Sequence, residues 1–294
     1  GEACRRHRPG TTWAGVPELL AGLDADHPDP TGVYAEARDQ IDELGAFVVA
    51  ADLLPDLGGT CEVGPAPPSR RWATAMMSWA APAEPDAPAW YYVTPPDPSW
   101  NEAEVAQWLA VFSRTTLPVI TAHEVVPGHF AHGRMLRRAR GEVRRTLYSE
   151  AFIEGWAHYG EELMVEAGFR ADDPRFAVGM ALEALIRVTR LAVALGLHTG
   201  AMDLAEATAR FEADAFLTGP AARSEAQRAM FDPTYGRYTW GKLEIQALRD
   251  RARSRWGGGY SHRRFHEALL ALGAPPLGLV DAALDLRDAA RGRR

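Results

Sequence analysis

The stretch that most constrains this chain is His123-Glu124-Val125-Val126-Pro127-Gly128-His129. A His followed directly by Glu, with a second His close behind, is how helical zinc hydrolases arrange two imidazole ligands and a general base. The common spelling, H-E-x-x-H, sets the two rings one turn apart on a single helix face. Here the second His stands six residues after the first. Six steps of an ideal helix turn through roughly 600°, so an unbroken helix would aim the rings at different sides. Pro127 interrupts it, because proline lacks an N–H and its ring collides with the carbonyl four residues back, that of His123. Gly128 tolerates whatever backbone angles follow. The prediction is a helix that breaks at Pro-Gly and still delivers both imidazoles to one point, with Glu124 beside them as general base.

A third ligand is sought on the segment Tyr148 to Glu161. Glu150, Glu154, His158 and Glu161 recur at spacings of four, four and three, which makes one polar stripe on a helix. Phe152, Ile153, Trp156 and Leu163 make the other faces apolar. Carboxylates among large apolar side chains are costly to bury unless a cation or partner compensates them. The rival reading is a solvated outer face. If the stripe is buried, Glu150 and Glu154 are both candidate ligands.

At these residues the chain resembles a bacterial family known as domain of unknown function 885, placed with the gluzincin-like peptidases. The family signature H-E-x-x-P-G-H falls on His123 to His129, and its E-G-W-A segment on Glu154-Gly155-Trp156-Ala157. Further matches are Trp90-Tyr91-Tyr92-Val93, Gly196-Leu197-His198, Asp232-Pro233-Thr234-Tyr235, Tyr238-Thr239-Trp240-Gly241-Lys242 and Phe265-His266, so the resemblance spans roughly residues 35 to 285. Similar helical peptidases carry their Glu ligand about 25 residues after the second His, and Glu154 follows His129 by 25. The resemblance thus implies His123, His129 and Glu154 as ligands of Zn²⁺ or another divalent metal. It also implies His198 as a group that polarises a substrate carbonyl, with capping of its helix as the alternative. Tyr238, and after it Tyr235, are the implied donors to an oxyanion.

Two departures stand out. Members of the family run to nearly twice this length, with an N-terminal helical half that walls the cleft. The resemblance therefore implies a more open cleft here, or one closed by a second copy in a homodimer. Ala194 also stands where an acidic residue is expected four positions before His198, which puts a supporting partner in question.

Bulk properties narrow the alternatives. A length of 294 residues suits one large domain or two small ones, and 47% hydrophobic with 24% charged residues is ordinary for a globular chain. A net charge of −7 gives no basic field for nucleic acid or anionic lipid. No charged-then-apolar leader opens these residues and no apolar run approaches the roughly 18 needed to span a bilayer. Cys4 and Cys61 cannot build a framework, so both are expected reduced and the setting cytoplasmic.

In chain order, residues 1–32 read as a polar N-terminal arm and 33–294 as one helical metallohydrolase domain. Within it a small β wall spans 55–100, metal-binding helices 101–170 and C-terminal helices 171–294. Aromatic and β-branched runs between prolines predict short strands near residues 60–95, expected to form an antiparallel sheet along one side of the cleft. Trp79 and Trp90 suit that wall or the core. Asn101 or Ser99 caps a following helix, and Pro118 opens the metal helix, expected to run to about Arg140. His132, nine residues after His123, is not counted as a ligand. Residues 174–198 form a long helix on which Arg190 either anchors a substrate carboxylate or pairs with a stripe carboxylate. Arg237 is a second candidate for holding substrate.

The expected fold is mainly α, a helical zincin-like metallopeptidase with a small sheet. The expected chemistry is metal-assisted hydrolysis of a peptide or small amide bond, with no nucleic-acid or membrane partner. Two other readings remain: a metal-dependent hydrolase or lyase acting on a small non-peptide substrate in a biosynthetic pathway, and a non-catalytic helical binding module.

Overall fold

The computed structural model describes residues 1–84 and 86–286. Helices α1 (Glu2–His7), α2 (Val16–Asp24) and α3 (Gly32–Ala50) precede a three-stranded sheet. α3 turns Val33, Ala37, Leu44 and Val48 into the core, the helical periodicity its sequence carries. The strands are β1 (Cys61–Pro65), β2 (Ala75–Ser78) and β3 (Ala89–Val93), in spatial order β1-β3-β2.

The sheet is mixed, which corrects the expectation of an antiparallel one. β2 runs antiparallel to β3, pairing Met77 with Tyr91, but β1 runs parallel to β3, pairing Val63 with the same Tyr91. β3 buries Ala89, Tyr91 and Val93 on one face and is the strand with two neighbours. Residue type marks a segment as extended but does not say which strand lies beside it or in which direction.

From here the described chain is helical: α4 (Glu102–Ala110), α5 (Leu117–Glu124), α6 (His129–Leu136), α7 (Glu142–Thr146), α8 (Glu150–Glu166) and α9 (Arg175–Thr199). Then follow α10 (Leu204–Ala215), α11 (Gly219–Phe231), α12 (Arg237–Trp256), α13 (His262–Leu270) and α14 (Val280–Ala283). Asn101 caps α4 in a reciprocal box with Glu104. All eight residues of α5 are buried, so this helix is central and has no polar side to betray its face in sequence.

α8 and α12 cross with their backbones in contact. A Cβ on Gly155 would fall 2.4 Å from the carbonyl carbon of Gly241, and a Cβ on Gly241 would fall 2.0 Å from the Ala151 oxygen. Nothing larger than glycine fits at either position.

The expected N-terminal arm is instead part of the packed structure. Val16, Leu19, Leu20 and Leu23 lie at helical spacing on α2 and, with Cys4, pack against Val178 and Leu182 of α9. The apolar stripe was present in the sequence but lay between Gly- and Pro-bearing stretches. The end of the region assigned to 171–294, residues 287–294, lies outside the described residues. Among those described, no helix is long and apolar enough to cross a membrane.

Candidate metal centre

The break predicted at Pro127 is real, and it is sharper than a kink. α5 ends at Glu124 and α6 begins at His129, with the cis peptide Val126–Pro127 between them. The second helix stops at Leu136 rather than near Arg140. The Gly128 N–H donates to the Ala122 carbonyl at 3.0 Å, and a Cβ on Gly128 would lie 1.7 Å from the His123 oxygen, so the loop closes on its own helix only with glycine there. α8 clamps the loop from the other side. The Trp156 indole N–H donates to the Pro127 carbonyl at 2.9 Å, and a Cβ on Gly160 would meet the Pro127 ring at 2.9 Å.

The clamp brings three side chains together. Glu154 Oε2 lies 3.5 Å from His123 Nε2 and 3.3 Å from His129 Nε2, and the three ligand atoms all lie within 4.8 Å of one another. Zinc ligands about 2.0–2.2 Å from the ion at tetrahedral angles stand about 3.3–3.6 Å apart. Glu154 Oε2 and the neighbouring Glu124 Oε2 are buried and have no hydrogen-bond partner. Buried polar atoms are rarely left so, and this donor set fits a divalent cation. Glu150 does not join it: its side chain is 54% exposed at the rim.

The electrostatics agree. Burial would raise the Glu154 carboxyl, but the two imidazoles outweigh it and hold the group well below the usual carboxylate range. Burial raises the Glu124 pKa, with the imidazoles of His129 and His123 acting against it. Burial and Arg187 pull His123 down, but Glu154 and Glu161 prevail and lift it to about 9.

Support behind the ligands comes from the same stripe. His123 Nδ1 lies 2.6 Å from Glu161 Oε1, and Arg187 Nη2 lies 2.8 Å from the same oxygen. An ionised carboxylate can only accept, so Nδ1 carries a proton, and a cation at Nε2 would displace the second proton that an imidazole with a pKa of about 9 otherwise holds there. Arg187 is in turn paired with Glu183, and His158 Nδ1 lies 3.1 Å from Glu161 Oε2. Glu161 thus gives His123 a supporting carboxylate from the stripe, while Ala194, four residues before His198, is buried on α9. Glu183 and Arg187 stand at i, i+4, a spacing common on exposed helix faces, yet Arg187 is only 4% exposed.

The remaining candidates separate. Tyr238 belongs to the site: its ring stands 6.3 Å from that of His123 at 27°, and it lines the cleft. Tyr235 lies behind the wall, fully buried, donating to Glu225 Oε2 at 2.7 Å. His198 sits at the end of α9, eight residues or about 12 Å of helix beyond Arg190, with Nε2 2.9 Å from the Ala229 carbonyl. It is tied to α11 and takes no part in the cleft. Arg190 lines the cleft but forms a two-pronged pair with Glu225 at 2.7 Å, neither a free anchor nor a partner of the stripe. Arg237 pairs with Asp232 at 2.7 Å and reaches Glu154 Oε1 only at 3.9 Å, so it stands behind the ligand and does not line the cleft.

The cleft itself has a volume of about 410 Å³. One side is β2 and its flanks, Ala73 to Trp79; the other is formed by α9 and α11. Trp79 lies in that wall with its ring 6.3 Å from His129, whereas Trp90 is 38% exposed and stacks on Tyr92.

A family model described as "Bacterial protein of unknown function (DUF885)" matches residues 4–284. No curated protein matches the sequence. Among solved structures, a "putative lipoprotein of unknown function" from Shewanella oneidensis is similar with a TM-score of 0.81 at 22% identity, over 97% of this chain and 53% of that one. A "putative lipoprotein" from Colwellia psychrerythraea is similar with a TM-score of 0.79 at 21% identity, over 92% of this chain and 46% of that one. At such identities the likeness concerns the fold, and the chain spans about half the length of either structure.

Proposed function

The chain belongs to the DUF885 family of bacterial proteins, and from that footing we propose that it is a metal-dependent hydrolase of peptide or small amide bonds. One observation carries the reading: His123 Nε2, His129 Nε2 and Glu154 Oε2 converge, with the unpartnered Glu124 Oε2 beside them. A zinc ion held by such a set supplies Lewis acidity and makes water a nucleophile near neutral pH.

The chain's own groups do the rest. His123 is oriented by Glu161, so its Nε2 is held toward the shared point, where a cation would take the place of its proton. Glu124 is buried with a raised pKa, which suits a carboxylate that takes a proton from water and returns it to the leaving group. Arg228 can only donate, so the Tyr238 oxygen accepts from it at 3.0 Å and keeps its own proton for an oxyanion developing in the cleft. β2 and Trp79 cover the opposite side and limit the water that reaches the site.

The test joins elemental analysis to one substitution. Protein purified without chelators should carry about one divalent ion per chain, and Glu124→Gln should keep the ion while hydrolysis of a peptide library falls by at least about 10²-fold. A metal-free protein, or a Glu124→Gln variant as active as the parent, would refute the proposal.

A further inference from the structure

Four arginines are buried among the described residues: Arg187, Arg190, Arg228 and Arg249. Three answer to carboxylates, Arg187 to Glu161 and Glu183, Arg190 to Glu225 and Arg249 to Glu166. Arg228 does not. It is 8% exposed and lines the metal cleft, and among the described residues no carboxylate oxygen lies within 4.0 Å of it. Its Nη2 donates to Tyr238, and its Nε has no hydrogen-bond partner.

A guanidinium cannot shed its proton to escape burial, and Arg228 feels the Glu225 and Asp232 carboxylates only from a distance, so the place of a contacting anion is left open on the cleft side. Its orientation is fixed as well. The Arg228 guanidinium carbon lies 4.8 Å from the ring centroids of both Trp72 and Tyr235. Contact with aromatic rings fixes the guanidinium plane, and the donors lying in that plane match a carboxylate in two-pronged fashion. Tyr238 links this cation to the metal ligands, since the hydroxyl bonded to Arg228 belongs to the ring beside His123. Cation and ligand cluster thus face one cleft with a single side chain between them.

We infer that Arg228 anchors a carboxylate carried by the substrate, so that the cleft selects acidic substrates over neutral ones. The term substrate rests on the hydrolase reading; the anion site itself does not. The carboxylate comes either from a free C-terminus or from an acidic side chain beside the cleaved bond.

Calorimetric binding to the zinc-loaded Glu124→Gln protein separates these sources. Acetyl-Ala-Ala against its C-terminal amide tests the terminus. Acetyl-Ala-Asp-amide against acetyl-Ala-Asn-amide tests the side chain. In one pair the acid should bind about tenfold or more tightly than its neutral partner. Adding Arg228→Gln should bring that ratio to about one, while Arg228→Lys should retain part of it. If Arg228→Gln does not fold, the fall in ratio with Arg228→Lys decides. Equal binding within both pairs, no binding of any probe, or a preference that survives loss of the guanidinium would overturn the inference. Turnover is read separately. An acid held through Arg228 by a zinc-loaded native protein that cleaves nothing would sink the hydrolase and leave the anchor. Amides cleaved as readily as acids would do the reverse.

Discussion

His123 and Glu161 lie 38 positions apart in sequence and 2.6 Å apart in space, imidazole Nδ1 to carboxylate Oε1. This contact decides which nitrogen of His123 faces the candidate ligand cluster, and it does so from a residue outside that cluster. Glu161→Gln should therefore weaken zinc binding by about 10- to 100-fold. Glu161→Asp, which keeps the charge, should recover part of it. Competition with a chromophoric chelator measures both, and an unchanged affinity in Glu161→Gln would show that the contact does not tune the site.

Zinc should stabilise the fold by mass action. At 100 times the dissociation constant the gain is about 2.7 kcal/mol, which for a domain of this size is several degrees of melting temperature. His129→Ala should abolish that gain without a comparable loss of stability in the metal-free protein. Scanning calorimetry with and without chelator gives the comparison; a zinc-dependent shift that persists in His129→Ala would place the ion elsewhere.

The space around two helical glycines predicts opposite outcomes for the same substitution. Gly155→Ala forces a methyl group into the Gly241 backbone and should cost about 1–3 kcal/mol or more. Gly45→Ala, in the middle of α3 with nothing within 4 Å of the new methyl, should stabilise by about 0.5–1 kcal/mol. Urea unfolding of the two variants reads both signs.

His266 gives a pH dependence remote from the metal. Its Nδ1 donates to the Leu53 carbonyl at 2.8 Å, its Nε2 accepts from Tyr159, and burial lowers its pKa from 6.5 to about 3. Between those values the unfolded chain binds a proton that the folded chain refuses, so stability falls as pH drops from 6.5 toward 3. Each such histidine contributes a slope of about 1.4 kcal/mol per pH unit. His266→Asn keeps a donor for Leu53 and should lose stability less steeply between pH 6.5 and 5. Parallel slopes for parent and variant, from urea midpoints, would contradict the assignment.

Part of the centre could be read along the chain, because the Pro127-Gly128 break and the Glu beside His123 are local relations. The choice of Glu154 over Glu150 came from the resemblance, since both lie on the same polar stripe. The relations that the sequence does not carry depend on packing between distant helices. His198 and Arg190 lie on the same helix, α9, yet only Arg190 reaches the cleft. Neither residue's partner on α11, the Ala229 carbonyl or Glu225, carries any mark of that role in sequence. Arg228 is hidden in sequence for the same reason: an arginine in an Ala-rich helix looks like a surface residue until its neighbours are known.

The sheet repeats the lesson at the level of topology. Each strand was found where residue type suggested it, within a few positions. The direction of β1 relative to β3 depends on a crossover that no local signal records. The buried stripe of α2 was legible in principle, since Val16, Leu19, Leu20 and Leu23 obey helical spacing.

The touching backbones at Gly155 and Gly241 have a mechanical consequence for the whole cleft. Two rods that already meet main chain to main chain have no clearance in which to swing, and Glu154 is mounted one residue from that joint. The side of the cleft that carries Glu154 is thus braced by a main-chain contact, a support that β2 on the opposite side does not share.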